Sequence, residues 1–189
     1  MKVTINGHPV DVTLDTEKTV GDVLSSLETL CSSNGAAIIG VALDGQGVPP
    51  EQIAAMSDRD AGTAQNLAVT TVTGDDLRDA LAEMTPRFQA LCGELEMLAV
   101  HLHSGAQGDA LRIIQGTADT ISDFCAISRF ADLFPERFGR VKDFFVEIAP
   151  LLKDFCEAIQ NNDTVLTGDL AEYEIKPRIV SIAQILAEL

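Results

Sequence analysis

Two periodicities divide the chain. Up to Val72 the apolar residues tend to alternate, and beyond Gly74 they recur in threes and fours. The joint is explicit: residues 67–72 are short, β-branched and uncharged, as a strand requires. Thr73-Gly74-Asp75-Asp76 follows with the spacing of a capping box, a hydroxyl and then a carboxylate three residues on. Before the joint, Val3 and Ile5 share one face of a first strand, and Val10, Val12 and Leu14 one face of a second. Asn6-Gly7-His8-Pro9 between them is a hairpin signal, with Pro9 predicting a loop longer than two residues. Thr19 with Asp22 opens a helix whose face is Val20, Val23, Leu24, Leu27 and Cys31, and Asn34-Gly35 stops it. A third strand is predicted over residues 37–43, with Ile39, Val41 and Leu43 on one side. Asp44-Gly45-Gln46-Gly47 turns the chain, residues 51–56 allow one or two helical turns, and residues 57–66 read as loop before the strand at Leu67.

Past the joint, Leu77, Leu81, Met84, Phe88, Leu91, Leu95, Leu98 and Leu102 repeat at intervals of four and three without a fault. The phase survives Pro86, which predicts one helix of nearly thirty residues, about 45 Å long at ~1.5 Å per residue and kinked at the proline. A loop over residues 104–108 leads to a helix starting near Asp109 with the stripe Leu111, Ile114, Ala118, Ile121 and Cys125, ending between Ser128 and Phe134. Phe138, Val141, Phe145, Ile148, Leu152, Phe155 and Ile159 mark a third helix, again in phase across a proline, Pro150. The last begins after Asn161-Asn162-Asp163, and its stripe shifts near Pro177. Four amphipathic helices on short loops predict an antiparallel four-helix bundle with a solid core. The expected fold class is α+β, with a small sheet domain over residues 1–73 and proline-kinked helices over residues 74–189.

Composition narrows the functions. At 189 residues and 46% hydrophobic the chain can bury a real core, and no uncharged apolar run reaches the roughly 18 residues of a membrane helix. The first residues lack the apolar stretch of a secretory signal, so the cytoplasm is the expected compartment. The net charge is −16, with nine acids and three bases in residues 1–73 and twenty and ten in residues 74–189. With no basic stripe, neither nucleic acid nor an anionic membrane is an expected partner. The acidic surface reads either as simple solvation or as a match for a basic protein. Cys31, Cys92, Cys125 and Cys156 lie about thirty or more residues apart, outside any zinc or redox spacing, and fit reduced, buried thiols.

No stretch carries a recognisable chemistry. His101 and His103 diverge by about 200° on a helix and cannot share a metal. The serines form no Gly-x-Ser-x-Gly elbow, and the glycines of residues 105–116 form no phosphate loop. No catalytic residue, cofactor or metal is expected. Two clusters are candidate partner-binding residues. Arg129, Arg137, Arg140 and Lys142, set against Asp132 and Glu136, break the acidic field at the second inter-helix connection and could meet an acidic partner; ion pairing with neighbours explains them equally. Asp169 and Glu172, three apart on one face beside Tyr173, are either a paired-carboxylate site or an exposed helix face.

The order strand, strand, helix, strand, short helix, strand over residues 1–73 resembles the β-grasp, or ubiquitin-like, fold. The resemblance implies a compact module used to dock proteins. It does not imply sulfur-carrier chemistry, because Thr73-Gly74-Asp75-Asp76 runs into a helix where carriers end in a free Gly-Gly carboxylate; nor is there a ferredoxin-type cysteine cluster. Residues 162–174 resemble a segment of uncharacterised bacterial proteins, some from motility gene sets, and by size the helical part is similar to small flagellar and secretion chaperones. The expected role is non-catalytic protein binding, as adaptor or chaperone-like module, with self-association open. The alternative is an enzyme or small-molecule binder with a site between the two halves.

Overall fold

The computed structural model describes residues 1–11 and 17–189. The fold is α+β: a five-stranded mixed sheet followed by a helical region. Strands β1 (Lys2–Ile5) and β2 (His8–Val10) are antiparallel with Ile5 opposite His8, so the loop is only Asn6-Gly7. Both turn residues take positive φ, 49° and 80°, as a tight hairpin turn of the correct twist requires. The longer loop expected from Pro9 is not formed. Pro9 pairs with Thr4 on the sheet's edge, where a missing N–H costs no ladder bond. Val12 and Leu14 lie outside the described residues.

Helix α1 (Val20–Ser33) opens on the expected capping box, with the Asp22 amide donating to Thr19 Oγ1 (3.1 Å) and the Thr19 amide to Asp22 Oδ2 (2.9 Å). Strand β3 (Ala36–Leu43) is followed by β4 (Gln46–Val48), where a turn over Asp44-Gly45-Gln46-Gly47 is expected: Asp44-Gly45, at φ 50° and 83°, turns the chain in two residues. Helix α2 (Pro50–Ser57) and strand β5 (Asn66–Thr73) complete the order β2-β1-β5-β3-β4, with β1 parallel to β5 and the other pairs antiparallel. Ile39 does not share the buried face of Val41 and Leu43. The register shifts between Ile38 and Gly40, and a bulge residue leaves the alternation. Val3, Val41, Leu43, Leu67 and Val69 of the sheet bury themselves against Val20, Leu24 and Leu27. At Gly21 any side chain would stand 2.8 Å from the Ser57 Cβ, so glycine is what lets α1 and α2 touch.

The chain divides into two compact units, Met1–Asp76 and Leu77–Leu189. The single long helix expected through Pro86 is two, α3 (Gly74–Ala82) and α4 (Thr85–Ser104). The stripe keeps phase because the joint never leaves helical dihedrals: Met84 sits at φ −77°, ψ −18°, its amide bonding back to Leu81. Leu77, Leu81, Met84, Phe88, Leu91, Leu95 and Leu98 are all buried. Helix α5 (Gln107–Ser128) starts two residues earlier than expected, after Gly105 at φ 78°, and a 3-10 turn, Arg129–Leu133, leads to α6 (Pro135–Gln160). The α6 backbone departs from helical geometry at Phe138 (φ −119°, ψ 18°) rather than at Pro150, which sits on its exposed side. The last stretch is α7 (Thr164–Asp169), a π-helical turn (Leu170–Ile175) and α8 (Lys176–Ala187). That turn explains the shifted stripe: the Lys176 amide reaches Ala171, five residues back, just ahead of Pro177.

Candidate functional site

Helix α4 packs beside α5 on one side and beside α7 and α8 on the other, and α6 packs on α7 and α8; α5 and α6 hardly approach one another. Phenylalanines bridge them. Phe124 of α5 stacks on Phe145 of α6 (5.2 Å between centroids, 20° between planes) and meets Phe88 and Phe144 edge-on at 5.1 and 5.7 Å. These rings form the floor of an open strip between α5 and α6.

The side chains of that strip come from rotation of α5. The sequence stripe Leu111, Ile114, Ala118, Ile121 and Cys125 is not the buried face: Leu111, Ala118 and Cys125 are exposed and Ile114 is half-buried. Burial falls instead on Ala110, Ile113, Thr117, Thr120, Phe124 and Ser128, with Ile121 between the two faces. The hydroxyls on that face are largely satisfied within the helix: Thr117 donates to the Ile113 carbonyl (2.8 Å) and Ser128 to Phe124 (2.6 Å). With its polar atom already bonded, such a residue packs as a small apolar one. Helix α6 mirrors this: Phe144 takes the core position expected of Phe145, while Phe145, Leu152 and Ile159 are half-buried and Val146, Ala149 and Cys156 exposed. The result is an apolar strip floored by rings, where the sequence reading has a solid core.

Charge is sorted along it. On α5, Asp123 turns to Arg87 of α4 (2.7 Å) and Asp109 lies 4.0 Å from His101. On α6, Asp143, Glu147 and Asp154 fall on the flank of Arg140, which reaches Glu188 beyond α8 at 2.8 Å. The carboxylates nearest the strip are each held by a strip lysine, Asp132 by Lys142 (2.9 Å) and Glu157 by Lys153 (3.7 Å). The Asp132 carboxylate pushes the Lys142 ammonium above its ordinary pKa. Arg129 lies over the Phe130 ring at 4.5 Å.

The two candidate clusters therefore come apart. Arg129 and Lys142 meet in a groove of about 360 Å³ at one end of the strip, with Cys125, Ser128, Asp132, Phe145 and Val146. Arg140 faces the other flank, and Arg137 lies over Phe138 at 5.5 Å. Asp169, Glu172 and Tyr173 sit elsewhere, at and beyond the end of α7. Tyr173 is 64% exposed, and the Glu172 charge beside it pushes its phenol up. Here Lys176 pairs with Glu96 of α4, and Arg178 with Glu174 (3.1 Å). His101 and His103 stay within α4, His103 Nδ1 lying 2.7 Å from the Ala99 carbonyl. Among the described residues no three metal-ligating side chains converge, and no helix is long and apolar enough to cross a membrane. At the other end of the strip Leu111, Ile114, Ile159 and Thr167 line a cavity of about 260 Å³.

A family model described as the TP0873 N-terminal domain matches residues 1–73, and one described as Domain of unknown function (DUF8042) matches residues 77–185. The chain belongs to the DUF8042 family. A protein of the bacterium Treponema pallidum (strain Nichols) that bears the name "Uncharacterized protein" is 30% identical to it over 183 residues, which is 94% of this chain and 92% of the relative. No solved structure matches it. Within the DUF8042 region lie α4 to α7, the apolar strip and both candidate clusters. Leu111, Ile114, Ala118, Cys125, Phe145, Leu152 and Ile159 of the strip belong to the stripes expected in the core, whereas Val146 and Ala149 lie outside them. No carboxylate falls on the Leu111–Cys125 face, but none falls on the Ala110–Ser128 face either, so the sequence carries no charge signal that separates the two.

Proposed function

We propose that this protein is a non-catalytic protein-binding module, an adaptor or chaperone-like protein, whose helical domain engages another polypeptide through the α5–α6 strip. The strip carries the reading: two long helices present medium and small apolar side chains to water over a ring-lined floor. Leu111 and Val146 are 55% and 72% exposed, and apolar residues contiguous along such a face mark an interaction site. The N-terminal unit supports it too. Its strand order, with β1 parallel to β5 at the centre and α1 across the sheet, is the one a β-grasp docking module would have. We take the two units as two domains. Four unpaired cysteines, two of them exposed, suit a reducing compartment such as the cytoplasm.

The test is affinity capture from the native cell with mass spectrometry, using the wild-type chain and the strip variants Ala118→Glu and Ala149→Glu. Both positions are exposed, so a carboxylate there leaves the fold intact. Specific polypeptides, further copies of this chain counted among them, are expected with the wild type and absent with both variants. Identical recoveries would refute the reading.

A further inference from the structure

We infer that the occupant of the α5–α6 strip is a second copy of this chain, the two strips packing face to face as an isologous pair. This rests on the reading of the strip as a binding face and names what covers it. Charge selects the occupant. A chain of net charge −16 repels its own copies over most of its surface, and they can meet only where carboxylates are missing or neutralised. The strip is such a place: Asp123 pairs with Arg87, Asp109 and Asp119 of α5 are out of phase with the strip face, Asp143, Glu147 and Asp154 of α6 lie on the far flank, and Asp132 and Glu157 are each held by a lysine. Arg129, which lies over the Phe130 ring and has no ion pair among the described residues, adds a positive charge at its end. A basic partner, which the rest of the surface attracts, gains nothing here.

Size agrees. Helix α5 has 22 residues, roughly 33 Å, and two helices side by side span roughly 20 Å. That is on the order of 650 Å² per copy and about 1,300 Å² for the pair, above the ~1,000 Å² a stable interface needs. A single foreign helix would cover about half of it. The small residues Ala118 and Ala149 stand mid-strip, where the helices of a two-fold pair cross most closely.

Sedimentation of the full chain over roughly 1 to 100 μM, a range that brackets micromolar pairing, tests this directly. The wild type is expected to pass from 20.2 kDa to twice that mass, and Ala118→Glu and Ala149→Glu to remain single at the highest concentration with unchanged circular dichroism. An independent readout uses the native chain: alkylation of the exposed Cys125 and Cys156 should slow about tenfold or more on concentration. A chain that stays single throughout, or a dimer that neither variant weakens and whose Cys125 and Cys156 stay reactive, overturns the proposal. If the chain is single yet its strip variants still lose captured polypeptides, only the second copy is refuted and the binding role stands. If it neither pairs nor captures anything, both fall.

Discussion

Single residues hold several of the junctions. Gly168, buried on α7, lies against α4: a Cβ there would stand 2.9 Å from that of Ala99. Gly168→Val is expected to cost about 1–3 kcal/mol by overpacking, read in chemical denaturation. Three carboxylates sustain the N-terminal unit. Asp44 Oδ1 accepts the amides of Gln65 (2.7 Å) and Asn66 (3.0 Å) while Oδ2 takes Arg59 (3.1 Å), and Asp22 and Asp76 close capping boxes. Backbone amides lower Asp44 and Asp22 first of all, and the Thr73 hydroxyl first lowers Asp76. A pKa below its unfolded value means the charged form is bonded in the native state. The stability these groups add is therefore complete above the ordinary carboxylate pKa, about 3.9, and is lost as pH falls through the depressed values. Melting temperature is expected to hold down to about pH 5 and drop below pH 4, and Asp44→Asn to flatten that drop.

At the scale of the element, α5 is the informative case. Its more apolar stripe faces the open strip, and its hydroxyl-bearing stripe is buried. The buried set includes Phe124, whose ring completes the aromatic centre, and small residues that let α5 lie close to α4, with Gly116 near the Glu94 carboxylate. In dilute protein Phe124→Ala is expected to cost about 3–5 kcal/mol, and Leu111→Ala under about 0.5. Denaturant titrations giving the reverse order would return α5 to the orientation read from its hydrophobicity alone. Prolines make a second test. Pro150 lies inside α6 and leaves the carbonyl of Val146 without its helical partner, on a side open to water. Pro150→Ala is expected to stabilise the helical unit by about 1 kcal/mol or more in the same titration. Pro86, in the first turn of α4 where no helical bond is lost, should have little such effect when replaced.

For the molecule as a whole, the acidic surface and the apolar strip act against each other. Between two copies of charge −16, long-range repulsion opposes a contact that apolar burial favours. Raising salt shortens the screening length from ~10 Å at 0.1 M toward ~3 Å at 1 M. Self-association is therefore expected to tighten with sodium chloride, measured by sedimentation equilibrium; weakening would assign the attraction to ion pairs instead. Each unit also has its own buried core, so residues 1–76 and 77–189 made separately are expected to unfold cooperatively in calorimetry.

The sequence by itself determined the α+β class, the joint at Thr73, both capping boxes, and the buried leucine stripe that runs from Leu77 into α4. These are written in local periodicity and in side chains that bond neighbours three or four residues away. Tertiary structure decided what lies between equally good local answers. Met84 could end one helix and stay in phase with the next, so a faultless heptad did not show the break. The bulge at Ile39 needed β5 to reveal it. The face that α5 buries was settled by Phe124 finding Phe88, Phe144 and Phe145, contacts between residues far apart in the chain. A helix with two candidate stripes buries the one whose partners interlock and leaves the other facing water.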